Sequence, residues 1–267
     1  MKRSIVATGM LILCAAAAHS VAAQDRPASG EQSGKLGVEY IAHASFLLHY
    51  QSTSLLLDPF ADKEWIGYSF PRGVTADAVF STHPHYDHDG GIFLGREPYW
   101  EGEIPLYQDP ESYMVGAFEI TGIKGKHSDP YGKEFGQKNT IWIIEAGDIR
   151  LVHLGDNGPL NDRQVDRIGR VDLLMVPMDS HYHILKKEEL EKVLADLDPR
   201  VIIPMHYKHP DLEEKPDRPK NLGPIAPVLE GVERVRYLES NIHWFEQPLS
   251  RKKHSYVVFR HSPDIKP

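Results

Sequence analysis

From Leu36 onward, short runs rich in β-branched and aromatic residues recur between polar breaks: Val38 to His49, Ser54 to Leu57, Ala78 to Ser81, Phe118 to Ile123, Thr140 to Ile144 and Ile149 to Leu154. Runs of that length and composition predict strands. Glu145-Ala146-Gly147-Asp148, between the last two, predicts a hairpin, because Gly and Asp tolerate the backbone angles of a tight turn. After residue 160 the rhythm changes. Asn161 is placed to cap a helix reaching about Ile168, and Val171 to Pro177 is again strand-like. Leu190, Val193, Leu194 and Leu197 then recur at helical spacing before Asp198-Pro199, and Val201 to Pro204 returns to strand. Locally paired strands followed by alternating helices and strands predict an α/β fold with sheets sandwiched between helical layers.

The first 23 residues differ in kind. Lys2 and Arg3 precede an apolar stretch from Ile5 to Ala18, and Val21-Ala22-Ala23 offers small residues for cleavage. This predicts a secretory signal peptide and a secreted or periplasmic protein. The stretch is short for a membrane span, so no stable membrane insertion is expected after cleavage. Residues 24 to 35 are polar, with Pro and Gly and no periodicity, and read as a flexible leader. Residues 36 to 267 then form one domain, long enough for a substantial core. Cys14 is the only cysteine and lies in the signal, so the mature chain has no thiol ligand and no disulfide. Loss of Lys2 and Arg3 leaves 28 of the 30 basic residues against 38 acidic ones, a net charge of about −10. That charge disfavours nucleic acid as a partner and leaves a small-molecule substrate as the expectation.

Residues 81 to 91 read Ser-Thr-His-Pro-His-Tyr-Asp-His-Asp-Gly-Gly, which places His83, His85, Asp87 and His88 within six positions. Three imidazoles and a carboxylate so close together are ligand types that first-row divalent metals prefer, zinc above all, with manganese or iron also accommodated. The other chemically loaded residues each follow a predicted strand: His127, Asp156 and His206. Side chains past strand ends converge on one sheet edge, where loops shape a cleft. Singly, His127 and His206 read as ordinary surface or core histidines, and Asp156, in Gly155-Asp156-Asn157-Gly158, as a turn residue. They become informative only together.

Tyr40-Ile41-Ala42-His43-Ala44-Ser45-Phe46, Leu57-Asp58-Pro59-Phe60, the His83 to His88 run, Lys126-His127, His153-Leu154-Gly155-Asp156 and Pro204-Met205-His206 stand in a telling order. The chain resembles the metallo-β-lactamase fold superfamily through these motifs, over about residues 36 to 260, and looks nearest to its ascorbate-phosphate lactonase-like branch. The resemblance implies an αββα sandwich of two mixed β-sheets flanked by helices. It implies two divalent metal ions: a first held by His83, His85 and His127, a second by Asp87, His88 and His206, with Asp156 bridging. Two cations about 3.5 to 4 Å apart repel, and a shared carboxylate and hydroxide lower that cost. The hydroxide would be the nucleophile, so Asp87 and Asp156 are the expected catalytic carboxylates.

Around these ligands, the resemblance makes Asp58 an acceptor for a ligand imidazole, which would fix its tautomer. His43, Tyr86, Asp179, His181 and His183 are expected to line the pocket, although His43 reads equally as a core histidine. His153 is expected to be a hydrogen-bonded core residue. The expected function is an exported, dinuclear-metal-dependent hydrolase acting on an ester, lactone or phosphodiester. A non-catalytic metal-binding protein of the same fold and a β-lactam hydrolase are the alternatives. A phosphorylated substrate would want basic residues in the pocket, and only Lys124, Lys126 and Lys208 are candidates.

Overall fold

A computed structural model describes residues 34–61, 66–98, 100–128, 130, 132–210, 222–250 and 254–265; the predicted signal peptide, Cys14 and most of the leader lie outside them. In chain order the strands are β1 (Leu36–Ala42), β2 (Ser45–Tyr50), β3 (Thr53–Leu57), β4 (Ala78–Phe80), β5 (Leu106–Tyr107), β6 (Ser112–Val115) and β7 (Phe118–Lys126). They continue with β8 (Lys138–Ala146), β9 (Ile149–His153), β10 (Leu173–Pro177), β11 (Val201–Met205), β12 (Val235–Tyr237), β13 (Ile242–Phe245) and β14 (Ser255–Val258).

These strands form two mixed sheets, ordered β13-β1-β2-β3-β4-β5 and β12-β14-β11-β10-β9-β8-β7-β6. The fold is the α/β sandwich of two mixed sheets that the motif order implies. In β3, Leu55 and Leu57 join the core that Phe118, Trp142 and Ile144 of the second sheet also enter, whereas Leu56 turns to Phe60, Tyr68 and Trp100 on the outer face. That alternation follows from the two-residue period of a strand and leaves the sheet covered on both faces. Helices Asp162–Ile168 and Lys187–Leu197 contribute Ile168, Leu190, Val193 and Leu197 to the same core as the second sheet. Asn161 starts the first helix through a capping box: its side chain accepts the Gln164 amide at 3.1 Å, and Gln164 accepts the Asn161 amide at 3.0 Å.

The single run expected from Val38 to His49 is two strands. His43, at φ +58°, turns the chain so that β2 folds back antiparallel on β1. Glu145 pairs with Arg150 and Ala146 with Ile149, so the hairpin turn is the two residues Gly147-Asp148. Strands β5, β6 and β12 are short and largely half-buried or exposed, which is why no apolar run announces them.

Strand direction decides where the chemistry gathers. In the first sheet β1 and β3 both run antiparallel to β2, and β4 is parallel to β3. In the second, β7 and β9 both run antiparallel to β8, and β10 and β11 are parallel to β9. The C-terminal ends of β1, β3 and β4 therefore lie at one edge of their sheet, and those of β7, β9, β10 and β11 at one edge of theirs. Backbone hydrogen bonds tie the two edges together: Thr140 N–H to Thr82 O at 2.7 Å and His206 N–H to His43 O at 2.7 Å.

Trp142 locks this arrangement from inside. Its ring is fully buried, lies edge-to-face with Phe80 at 5.0 Å, and donates its indole N–H to Ser81 O at 3.2 Å, two residues before His83. Trp142→Ala is expected to destabilise the fold by about 3–5 kcal/mol, the usual cost of removing a large buried aromatic side chain. Chemical denaturation measures this, and a loss below about 1 kcal/mol would show that the site edge does not depend on that contact.

Candidate metal centre

Every ligand candidate sits in a loop just past one of these strand ends. The His83 to His88 run follows β4, His127 follows β7, Asp156 follows β9 and His206 follows β11. Ligand atoms of His83, His85 and His127 lie within 4.8 Å of one another, and so do those of His83, His88 and Asp156. A further group of the same kind holds Asp87, His88, His206 and His43. The fold thus brings all seven expected ligands to one place.

The individual separations have the scale of a coordination shell. His83 Nε2 and His85 Nδ1 are 3.1 Å apart, His88 Nε2 and Asp156 Oδ1 3.4 Å, His206 Nε2 and Asp156 Oδ2 3.2 Å, and His127 Nε2 and Asp156 Oδ2 3.6 Å. Two tetrahedral ligands each about 2.0–2.1 Å from a zinc ion stand about 3.3 Å from one another. His88 Nε2, His127 Nε2, His206 Nε2 and Asp156 Oδ1 are buried and have no hydrogen-bond partner among the described residues. Buried polar atoms are normally satisfied, so inward-facing donors of this kind fit metal ligation.

The surroundings fix the proton on the outward nitrogen of three rings. His88 Nδ1–H donates to Asp58 Oδ2 at 2.7 Å, and His127 Nδ1–H donates to the Ser128 carbonyl at 3.0 Å. Thr82 donates its amide to Asp58 Oδ1 at 2.7 Å and its hydroxyl proton to Asp58 Oδ2 at 2.8 Å. Its oxygen is left to accept His83 Nδ1–H at 3.0 Å. Each of these rings therefore directs its Nε2 inward, the arrangement that outer hydrogen bonds impose on ligand histidines. Thr82 and Ser128 were not singled out in the sequence; the only signal was their position beside a candidate ligand.

Backbone geometry supports the same edge. His43, Asp58 and His206 all occupy the left-handed region, at φ +58°, +40° and +58°. Non-glycine residues held there are a local strain found at functional sites. Gly155, at φ +55°, has no room for a side chain: a Cβ would stand 2.5 Å from Thr82 Cβ and 2.6 Å from Asn139 Oδ1.

The expected pocket residues divide. His183 is half-buried and stacks on His206, with centroids 5.7 Å apart and planes at 11°. Tyr86 is half-buried beside His85, at 6.5 Å between ring centroids. Asp179 is a correction: it is buried and accepts the amides of His181, His183 and Gly223 at 2.7, 3.0 and 2.9 Å, so it shapes the loop instead of lining the pocket. His181 is exposed, and neither it nor His183 belongs to any three-ligand group among the described residues. His43, which reads equally as a pocket or a core histidine, is fully buried with its ring directed at Asp87. His153 donates Nε2–H to the Ala44 carbonyl at 2.9 Å and accepts the Gly155 amide at 3.1 Å, a core role. Phe135 carries no sequence signal of a site role, yet its ring packs 4.4 Å from His85 and 5.7 Å from His83.

Electrostatics divide the imidazoles. Burial pushes His83 well below the ordinary imidazole range, and His127 is also lowered, chiefly by burial. Burial also disfavours charge on His88 and His206, but nearby carboxylates, Asp156 foremost, outweigh it and raise both. Asp156 is in turn held well below the usual carboxylate range, because His206 and His88 overcome its burial.

Comparison with known proteins agrees with the fold and with metal-dependent hydrolysis. The sequence profile of the beta-lactamase superfamily domain matches residues 37–206. The chain is 27% identical over 214 residues to a metal-dependent hydrolase of Thermococcus onnurineus, covering 72% of this chain and 94% of that protein. It is 26% identical over 226 residues to a metal-dependent hydrolase of Carboxydothermus hydrogenoformans, covering 74% and 98% respectively. A Thermotoga maritima crystal structure, assigned to the Zn-dependent hydrolases of the metallo-beta-lactamase superfamily, is 29% identical with a TM-score of 0.63. That match covers 85% of this chain and 100% of that one. Isothiocyanate hydrolase from Delia radicum gut bacteria is similar in fold, with a TM-score of 0.52 at 16% identity over 73% of this chain and 90% of its own. The chain belongs to the beta-lactamase superfamily domain family.

Two expectations follow from the site's geometry. Asp58→Ala removes the acceptor of His88 and Thr82 together and should weaken metal affinity about 10–100-fold, measured by competition with a chromophoric chelator. An unchanged affinity would remove Asp58 from the site's support. His88 and His206 keep their protons above the ordinary imidazole value of about 6.5, and a ligand must be deprotonated. Metal uptake near pH 7 should therefore release protons, and affinity should rise with pH from about 6.5 until the raised values are passed. Calorimetry in buffers of different ionisation enthalpy reads the protons, and uptake without release would contradict the raised values.

Proposed function

We propose that this metal-dependent hydrolase works through two divalent cations, the first held by His83, His85 and His127, the second by Asp87, His88 and His206, with Asp156 shared between them. Asp156 carries the reading: one of its oxygens, Oδ2, stands 3.6 Å from His127 Nε2 in the first set and 3.2 Å from His206 Nε2 in the second. When bound, such a pair activates a water as nucleophile and polarises the carbonyl or phosphoryl oxygen that it attacks. Zinc suits the imidazole-rich first set best, and manganese or iron suits the carboxylate-richer second set as well.

The chain's own residues supply orientation and a dry wall. Phe135 covers the first set with an apolar ring, and His183 borders the second. Excluding water beside the ligands strengthens every charge interaction there. The apolar ring suits an acyl centre with an apolar substituent, so a carboxylic ester or lactone is the preferred substrate and a phosphodiester the next. Export by the N-terminal signal peptide would place this chemistry outside the cytoplasm.

Asp156→Ala is expected to reduce turnover of generic ester, lactone and phosphodiester probes by about 1,000-fold or more, several kcal/mol of lost transition-state stabilisation. The unfolding transition of the metal-free protein should remain single. Wild-type turnover should vanish on chelation and return with added metal. Activity in Asp156→Ala equal to wild type would end the proposal.

A further inference from the structure

Among the described residues, His43 is the one outside the expected ligand set whose nitrogen joins a ligand group, with Asp87, His88 and His206. It is fully buried, so it does not touch solvent in the cleft. Its contacts fall on two of the second set's ligands. Its Nε2 lies 3.1 Å from Asp87 Oδ2, and its ring lies on that of His206 with centroids 4.0 Å apart and planes at 43°. Its backbone carbonyl accepts the His206 amide at 2.7 Å and the Tyr40 hydroxyl at 3.0 Å.

The chemistry of these contacts separates support from ligation. An ionised carboxylate only accepts hydrogen bonds, so His43 Nε2 must carry the proton in its contact with Asp87. A protonated ring nitrogen has no lone pair for a metal. Asp87 retains lone pairs for one, since a carboxylate has about four acceptor positions. Among the described residues no other group donates a hydrogen bond to Asp87, so its carboxylate is aimed by His43. The His206 side is held twice, by the ring contact and by the backbone hydrogen bond between two left-handed residues.

We propose that His43 is a positioning residue of the second cation site, aiming Asp87 through its Nε2–H and bracing His206 through its ring and carbonyl, and that it sets the affinity of that site alone. This rests on the two-cation reading above. The first set, His83, His85 and His127, shares no group with His43.

Metal-free protein is titrated with Zn2+ alone against a chromophoric chelator, giving two stepwise affinities for wild type, His43→Ala and His43→Gln. His43→Ala should weaken the second equivalent about 10–100-fold and leave the first within about threefold. Gln carries an N–H donor and makes the same left-handed demand on the backbone as Ala, so His43→Gln should recover most of the loss. Should His43→Ala fail to fold, the wild-type and Gln values decide alone: a second equivalent within about fivefold of wild type in His43→Gln supports donation, and one about 100-fold weaker overturns it. Equal weakening of both equivalents, no weakening, or no rescue by Gln overturns the inference. A wild-type protein taking a single equivalent overturns the two-cation reading first, which is a distinct failure seen without any variant.

Discussion

Asp58 is a fully buried carboxylate on which the site's geometry depends. It takes both protons of Thr82, from the amide and the hydroxyl, and the Nδ1 proton of His88. Through Thr82 it also sets the tautomer of His83. A buried charge is tolerated only where hydrogen bonds replace the water it has lost. Here those hydrogen bonds come from the segment that carries the ligands, so satisfying Asp58 and orienting the histidines are a single event. β3 delivers Asp58 and β4 delivers Thr82, and the parallel pairing of these two strands brings the ends together.

The ligand shell itself is electrostatically divided. His83 and His127 lean neutral, and His88 and His206 are drawn towards charge by Asp156 and its neighbours. Among the described residues several inward-facing atoms lack hydrogen-bond partners, which a soft structure would relieve by closing around them. The sandwich resists such collapse because both sheets are anchored by a continuous apolar core and cross-linked at this edge by backbone hydrogen bonds. Rigidity in the sheets thus holds the inward-facing His and Asp atoms in an arrangement that fits a cation.

Local strain and close packing complete the edge. His43, Asp58 and His206 each hold a left-handed backbone, and Gly155 passes too close to Thr82 for any side chain. These are positions where tertiary contacts overrule local preference. The buried Asp179 does comparable work on the neighbouring loop: by taking three amides it leaves His183 against His206 while His181 faces solvent.

The apolar runs and turn residues determined most of the sheets, the capped helix at Asn161 and the tight hairpin at Gly147-Asp148, because two-residue periodicity and turn chemistry are local properties. The dense His83 to His88 run likewise declared metal chemistry on its own. What local pattern could not reveal was the break at His43, since a left-handed residue leaves no mark in hydrophobicity, or the short strands β5, β6 and β12, whose faces are mostly half-buried or exposed. Nor could it separate His43, Asp179 and His181 from His183, all polar residues near strand ends. Only the tertiary structure decided those roles, because burial and the direction of a side chain are set by which strands pair and which way they run, through contacts between residues as distant as His43 and His206.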